Sequence, residues 1–347
     1  MSRTAVRAFA VGDGAAGDSA ADGAWYTSAA VQADIVLCVC TWRRPAGLRR
    51  LLAAASELEY DGRLAVVVVD NDAAAEGIAV CRDTAAAFRW PLAAVQESRP
   101  GISYARNSAV ERALELRPRF IAMLDDDEWP SRGWLRELVR VLDTTGADVV
   151  GGPVIPRFPP AAGIWPALAD VYTVNLRRPD GAPCTLYAAG NFIARADCFR
   201  ALGPAPFDPG FARTGGEDLV FFCRLARLGF RMHWSAAAEV YETVTADRMS
   251  LTWLTRRQRR RGSLNVVVQR MFAPGPIAEA MRLTKTAGLL SLALGYRILA
   301  APFPVRRLRA ILLLHKALGK VAGHLGRRIT QYGDSSPGGR SEDTYGS

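Results

Sequence analysis

Several kinds of protein are excluded by what this chain does not contain. Its 347 residues hold no Cys-x-x-Cys pair, and the six cysteines (38, 40, 81, 184, 198, 223) are scattered. That spacing argues against a zinc cage or a disulfide framework and for a reducing compartment. Cys38 and Cys40, two apart on a strand, read as small core residues. No Gly-x-x-x-x-Gly-Lys-[Ser/Thr] loop occurs, which argues against a P-loop enzyme. Lysine is scarce, and Lys285, Lys316 and Lys320 all fall late in the chain. A sugar nucleotidyltransferase would want a Gly-rich loop and a lysine near the start of its domain. His233, His315 and His324 have neither metal spacing nor a Ser or Cys partner. No apolar run reaches the roughly 20 residues of a spanning helix. The best, 286–296, is broken by Arg297 and then by Pro302 and Pro304. No apolar secretory segment precedes the Gly-Asp-Gly stretch near the N-terminus, so a cytoplasmic location is expected.

What is present is unevenly placed. The net charge is +10, yet Arg256 to Arg328 alone carry 16 Lys or Arg against one acid, Glu279. Apolar stretches at 289–294 and 311–314 interrupt that block. A basic, amphipathic helical segment of this kind suits the anionic inner face of the plasma membrane as a peripheral partner. Nucleic acid is the other partner such a block suits, and with it comes a non-enzymatic lipid- or nucleic-acid-binding module. The expected organisation is a loose tail over 1–33, one domain over 34–250, the basic segment over 251–328, and a loose tail over 329–347. Gly12-Asp13-Gly14-Ala15-Ala16-Gly17 matches a dinucleotide pattern, but Asp-Ser-Ala-Ala-Asp-Gly follows where a helix is needed.

Between the tails, buried strands and amphipathic helices alternate. The apolar runs 35–40, 64–69 and 120–124 read as strands buried on both faces, and 3–4 spacing predicts helices from Pro45, around 103–116 and over 134–142. This order predicts an α/β fold: a mostly parallel central sheet with helices on both faces. Ligands then bind at the carboxyl ends of the strands. Three of those ends carry Thr41-Trp42, Asp70-Asn71-Asp72 and Asp125-Asp126-Asp127.

Three adjacent carboxylates repel one another unless a cation compensates. Mg2+ or Mn2+ takes carboxylate oxygens together with substrate phosphates, and so can neutralise a departing diphosphate. The plainer reading is an acidic turn that caps the helix beyond Pro130. Those acids would repel phosphate without a metal, which argues against a nucleic-acid module. Further on, Glu217-Asp218 follow two glycines at a predicted helix start, where acids also serve simply as caps.

The order Cys-Val-Cys-Thr-Trp-Arg-Arg-Pro, Val-Val-Val-Asp-Asn-Asp, Ala-Arg-Asn, Leu-Asp-Asp-Asp-Glu and Thr-Gly-Gly-Glu-Asp, over roughly residues 34 to 262, resembles the inverting family 2 glycosyltransferases of GT-A fold. More narrowly, Asp-Asp-Asp-Glu-Trp-Pro and Val-Tyr-Glu-Thr-Val look like bacterial exopolysaccharide glucosyltransferases of the succinoglycan type. The resemblance implies a UDP-sugar donor, glucose first among them, and a lipid-linked saccharide acceptor. It gives Thr41 and Trp42 the nucleotide base, Asp70 the uracil ring, and Arg106 and Asn107 places near the nucleotide. Asp127 would be the direct metal ligand, with Asp125 and Asp126 reaching ribose or sugar and Asp125 sharing the metal. Trp42 stands where the family has a smaller ring. Asp218 would be the general base beside Glu217, and Gly190-Asn191 would lie near the sugars or form a strand-edge turn. Glu242 sits where relatives carry a metal-binding His, and could equally be a surface residue. Arg260, within Gln-Arg-Arg-Arg-Gly, would clamp the diphosphate or lie on a charged helix face.

Overall fold

The computed structural model describes residues 31–327 and 329; the Gly12–Gly17 pattern and both expected tails, save the residues at their inner edges, lie outside them. In chain order the elements are β1 (Ile35–Thr41), α1 (Pro45–Ser56), β2 (Leu64–Asp70), α2 (Glu76–Ala85), β3 (Leu92–Gln96), α3 (Ile102–Glu115) and β4 (Phe120–Asp125). There follow β5 (Glu128–Pro130), α4 (Trp134–Thr145), β6 (Val149–Gly151), β7 (Val154–Arg157), α5 (Ala169–Tyr172), β8 (Asn191–Arg195), α6 (Ala196–Ala201), α7 (Glu217–Arg227), β9 (Met232–Trp234) and β10 (Val240–Thr243). Three long helices close the described chain: α8 (Leu251–Phe272), α9 (Pro276–Leu299) and α10 (Pro304–His324).

The chain divides into two compact units. One runs through Phe158 and adds Ala169–Pro209 and Phe221–Thr243; the other takes Pro159–Leu168, Gly210–Val220 and everything from Val244.

The first unit is built on a seven-stranded sheet, ordered β3-β2-β1-β4-β8-β6-β9. Every pairing in it is parallel except those of β8, which runs antiparallel to both neighbours. All seven side chains of β2 are buried, as an unalternating apolar run requires when helices cover both faces. Alternate residues of β1 separate the two cores. Ile35, Leu37 and Val39 pack with Leu48, Leu51, Leu135 and Leu138 of α1 and α4. Val36 and Cys38 pack with Ala105 and Ala109 of α3 and with Phe192, Phe199 and Phe221. A second, three-stranded sheet, β5-β10-β7, has strands too short to leave a periodicity in the sequence.

In the second unit α8 and α10 meet backbone to backbone. A Cβ added at Gly319 would overlap the Arg259 carbonyl, and one at Gly262 would overlap that of Lys316; Gly323 sits against Ser263. Gly319→Ala should therefore force the helices apart and lower stability by about 1–3 kcal/mol. Gly295→Ala on α9, whose Cβ would meet nothing within 4 Å, should instead stabilise by up to about 1 kcal/mol. Thermal unfolding of the two variants beside the wild type checks the pair. Equal midpoints would mean that the seam does not constrain the fold.

Candidate functional site

Register alone gathers the site. Thr41 pairs with Asp70 across β1 and β2, and Cys40 pairs with Asp125 across β1 and β4. The carboxyl ends of three adjacent parallel strands thus fall in one row, where the strand order turns from β1 to β2 on one side and to β4 on the other. That is the switch point at which open α/β sheets bind ligands.

The three aspartates have three different environments. Asp126 is buried, and its carboxylate accepts from Thr41 Oγ1 (2.9 Å), Trp42 N (3.2 Å) and Arg44 Nη1 (2.9 Å). Burial raises its pKa to about 6, although the Arg44 charge pulls the other way. Asp125, at 38% side-chain exposure, pairs with Arg106 Nη2 at 2.8 Å, and Arg106 is itself buried on α3. Asp127 lies 3.0 Å from Arg44 Nη1. Gly47 lets α1 approach this turn, because a Cβ there would come within 2.5 Å of the Asp126 carbonyl oxygen. Trp42 keeps 45% of its surface exposed, with the Arg43 guanidinium 5.0 Å from its ring. Arg43 itself has a positive φ of 55°, a conformation that costs a non-glycine residue about 1 kcal/mol.

Four of the residues expected near the donor have protein partners in the structure. Asp70 accepts from the backbone N–H of Asp72, Gly77 and Ile78 and so holds the start of α2, and Gly77 leaves room for it. Asp126 is bound to the end of β1 as described. Asn107 exchanges two hydrogen bonds with the Phe207 backbone, at 2.8 and 2.9 Å, and Ser103 donates to Asp208 O, so α3 pins the loop that leads to the Gly-Gly-Glu-Asp turn. Asn191 accepts from Trp134 Nε1 and donates to the Pro153 and Ala238 carbonyls. These hydrogen bonds fix the orientation of each side chain.

Glu128 is the residue whose part the sequence did not disclose. It is buried, and its Oε2 accepts from Asp125 N at 3.1 Å. Gly190 gives it room, because a Cβ there would come within 2.5 Å of Oε1. Across the small sheet Glu128 stands directly opposite Glu242. Burial first, then the charges of Asp125, Asp127 and Glu242, hold its carboxyl well above the usual range. Like charges set opposite one another on a sheet are destabilising, and the raised pKa keeps Glu128 protonated to higher pH, which relieves that repulsion.

Among the described residues no group of three or more His, Cys, Asp or Glu could hold a metal ion unaided. Mg2+ and Mn2+ ordinarily take one or two carboxylates and complete their shell with water and substrate phosphates. Asp125 and Asp127, both partly exposed, with Glu128 and Glu242 set opposite each other on the small sheet, fit that partial set.

Glu217, Asp218 and Arg260 belong to the second unit. Gly215 and Gly216 have φ of 71° and 98°, which only glycine adopts without strain, and they turn the chain into α7. Glu217 is buried, and Asp218, half-buried, accepts from Leu219 N at 2.7 Å. Leu264 of α8 closes on Gly216, where a Cβ would come within 3.2 Å. The basic helical segment thus carries the turn as well as its charge. Arg260 lies on α8, partly buried.

Asp126 also sets a pH dependence. With its folded pKa raised to about 6, the unfolded chain ionises first between about pH 4 and 6, so the stability this group confers at low pH is lost as pH rises through that window. Asp126→Asn cannot ionise. The variant's stability relative to wild type should climb between pH 4 and 7 by at most about 3 kcal/mol. A difference that stays flat over that range would show that Asp126 titrates as an ordinary surface acid.

Comparison with known proteins supplies the context. Residues 36–203 match the model described as glycosyl transferase family 2, and 120–319 match glycosyl transferase family group 2. The succinoglycan biosynthesis protein ExoM of Rhizobium meliloti is 32% identical over 298 residues, which is 85% of this chain and 94% of ExoM. Glycosyltransferase AglE of Haloferax volcanii is 26% identical over 185 residues, 49% of this chain and 60% of AglE. Among solved structures, the mannosyltransferase PcManGT of Pyrobaculum calidifontis, in complex with GDP-Man and Mn2+, superposes with a TM-score of 0.61 at 19% identity. That likeness covers 89% of this chain and 90% of PcManGT, and it is one of fold.

Proposed function

Because the chain belongs to glycosyl transferase family 2 and is a glycosyltransferase of GT-A fold, we propose that it moves a hexose from a UDP-sugar, UDP-glucose first, to a hydroxyl of a lipid-linked saccharide in exopolysaccharide synthesis. The observation that carries this reading is the row formed by Thr41, Asp70 and Asp125 at the ends of three parallel strands. There Asp125 and Asp127, both partly exposed, pair with Arg106 and Arg44, while Asp126 anchors the turn. The name of ExoM supports the polysaccharide context, and the Mn2+ in the PcManGT complex supports a divalent ion.

In this reading Trp42 offers its exposed ring to the base, and Arg106 holds Asp125 toward the donor. Asp127 and Asp125, with Glu242 beside them, are the residues that would hold Mn2+ or Mg2+. Such an ion, when bound, neutralises the charge that develops on the leaving diphosphate. Asp218 takes the proton of the attacking hydroxyl as the sugar–phosphate bond breaks, and the anomeric centre inverts in a single displacement. No protein nucleophile is needed, because UDP leaves as the anion. Arg260 is the candidate second contact to that diphosphate. The basic helices would keep the protein peripheral at the cytoplasmic membrane face, where such an acceptor resides.

A screen of nucleotide sugars with Mn2+ and Mg2+, read as release of the nucleoside diphosphate, tests the reading. UDP-glucose should exceed the other donors. A preference for GDP-mannose would move the donor assignment to the one PcManGT is named with, and no release from any nucleotide sugar would overturn the reading.

A further inference from the structure

Helix α9 is built inside out. Its inward stripe carries Glu279, Arg282 and Thr286, with Arg282 and Thr286 buried. Glu279 accepts from Arg282 Nε at 2.9 Å and from Arg270 of α8, and it lies 2.8 Å from His324 Nδ1 on α10. His324 Nε2 in turn lies 3.1 Å from Thr286 Oγ1. Arg270 first, then Arg282, hold the Glu279 carboxyl well below the usual range. The only acid between Arg256 and Arg328 is thereby neutralised from within.

The outward side is apolar. Ile277, Ile298 and Leu299 are 77–79% exposed, and Met281, Leu292 and Leu294 are more than half exposed. At 100° per residue these six share an arc with Ala280, Thr284, Ala287, Gly288, Ser291 and Gly295, and only Lys285, at its margin, is charged. A helix in water turns its apolar stripe to the core and its charges outward. On this helix large apolar side chains face outward while Glu279, Arg282 and Thr286 face in, and Phe303, 48% exposed, extends the surface toward Arg306 and Arg307. The stretch 311–314, by contrast, is taken up in helix packing, with Leu312 buried.

We propose that the outward face of α9 is a docking surface for an anionic lipid bilayer and lies in the plane of the interface. The proposal deepens the membrane reading above and rests on it only for what the bilayer carries. Charge complementarity selects this occupant: the exposed Lys285, Arg297, Arg306 and Arg307 flank the apolar face, and the segment has no exposed acid to oppose lipid phosphates. A second copy would set two such basic blocks against each other. The chain's own ends, 1–30 and 330–347, contain no run of large apolar residues with which to cover the face. Spanning is excluded for these helices, since none of the described ones is long and apolar enough.

The test is co-sedimentation of the full chain with vesicles of phosphatidylglycerol and phosphatidylcholine, against vesicles of phosphatidylcholine alone. The variant carries Ile277→Gln, Ile298→Gln and Leu299→Gln, three solvent-exposed positions where a helix-forming polar residue leaves the fold intact. Wild type should bind the anionic vesicles, and the variant should bind them about 100-fold more weakly. Removing the anionic lipid should weaken wild-type binding about tenfold or more. UDP affinity, measured in buffer, should be the same for both proteins, which separates this surface from the donor site. Absence of binding by wild type, equal binding by the variant, or equal binding to neutral vesicles would each overturn the proposal. So would a dimer in sedimentation velocity that the three substitutions dissolve without any change in vesicle binding.

Discussion

Transfer is expected to stop in excess EDTA and to return when Mn2+ or Mg2+ is added back. With metal restored, Asp127→Ala should lower turnover by about 10³-fold or more, since the charge on the departing diphosphate would lose its counterion. The reason lies in how unevenly the three aspartates are committed. Asp126 has its oxygens bound to Thr41, Trp42 and Arg44, so its substitution should act through the shape of the turn. Asp127 and Asp125 are partly exposed, each paired with an arginine, beside Glu128, whose pKa is raised first by burial and then by the neighbouring carboxylates. Asp127→Ala should therefore also abolish the metal-dependent part of UDP affinity in calorimetry, whereas Asp126→Asn should retain it. Full activity in EDTA would sink the metal, and UDP affinity of Asp127→Ala that still responds to metal would place the ion elsewhere.

The second large effect is expected at Asp218. Asp218→Asn preserves the side-chain oxygen that accepts from Leu219 N but cannot take a proton. Turnover should fall by roughly 10²–10⁴-fold, while UDP-sugar affinity and metal dependence stay as in the wild type. The pH profile should change as well, since the limb that reports the base would be missing. Combined loss of donor binding and turnover would instead give Asp218 a metal or structural part. The turn that carries it has little latitude, as Gly215 and Gly216 occupy backbone conformations closed to other residues. Substitution of Gly216 would meet Leu264 as well.

The strand ends could be read from the sequence because a fully apolar strand announces burial on both faces, and parallel order then fixes which end gathers the ligand. Thr41, Asp70 and Asp125 do stand at those strand ends. Residue type, however, does not say where a side chain turns. Asp70, Asn107 and Asn191 are polar residues at the right strand and helix ends, yet their hydrogen bonds close on Gly77, Phe207, Trp134 and neighbouring carbonyls. Glu128 stayed hidden for a different reason. Its meaning depends on facing Glu242, which is remote in sequence, through a sheet whose strands are three or four residues long. The basic segment disclosed its charge and its apolar stretches, but which stretch faces out is decided by where the glycines of α8 and α10 allow contact.

That glycine seam bears on what the helices can tolerate around them. Two helices that touch through Gly262, Gly319 and Gly323 are joined by dispersion and by weak Cα–H···O contacts between main chains. Neither force depends on expelling water. A seam of leucines would lose most of its cohesion if hydrocarbon replaced the surrounding solvent, because leucine gains nothing by leaving one oily medium for another. A seam of backbone keeps nearly all of it. Solvent could therefore be exchanged for lipid along one side of this helical unit without loosening the close backbone contact between α8 and α10.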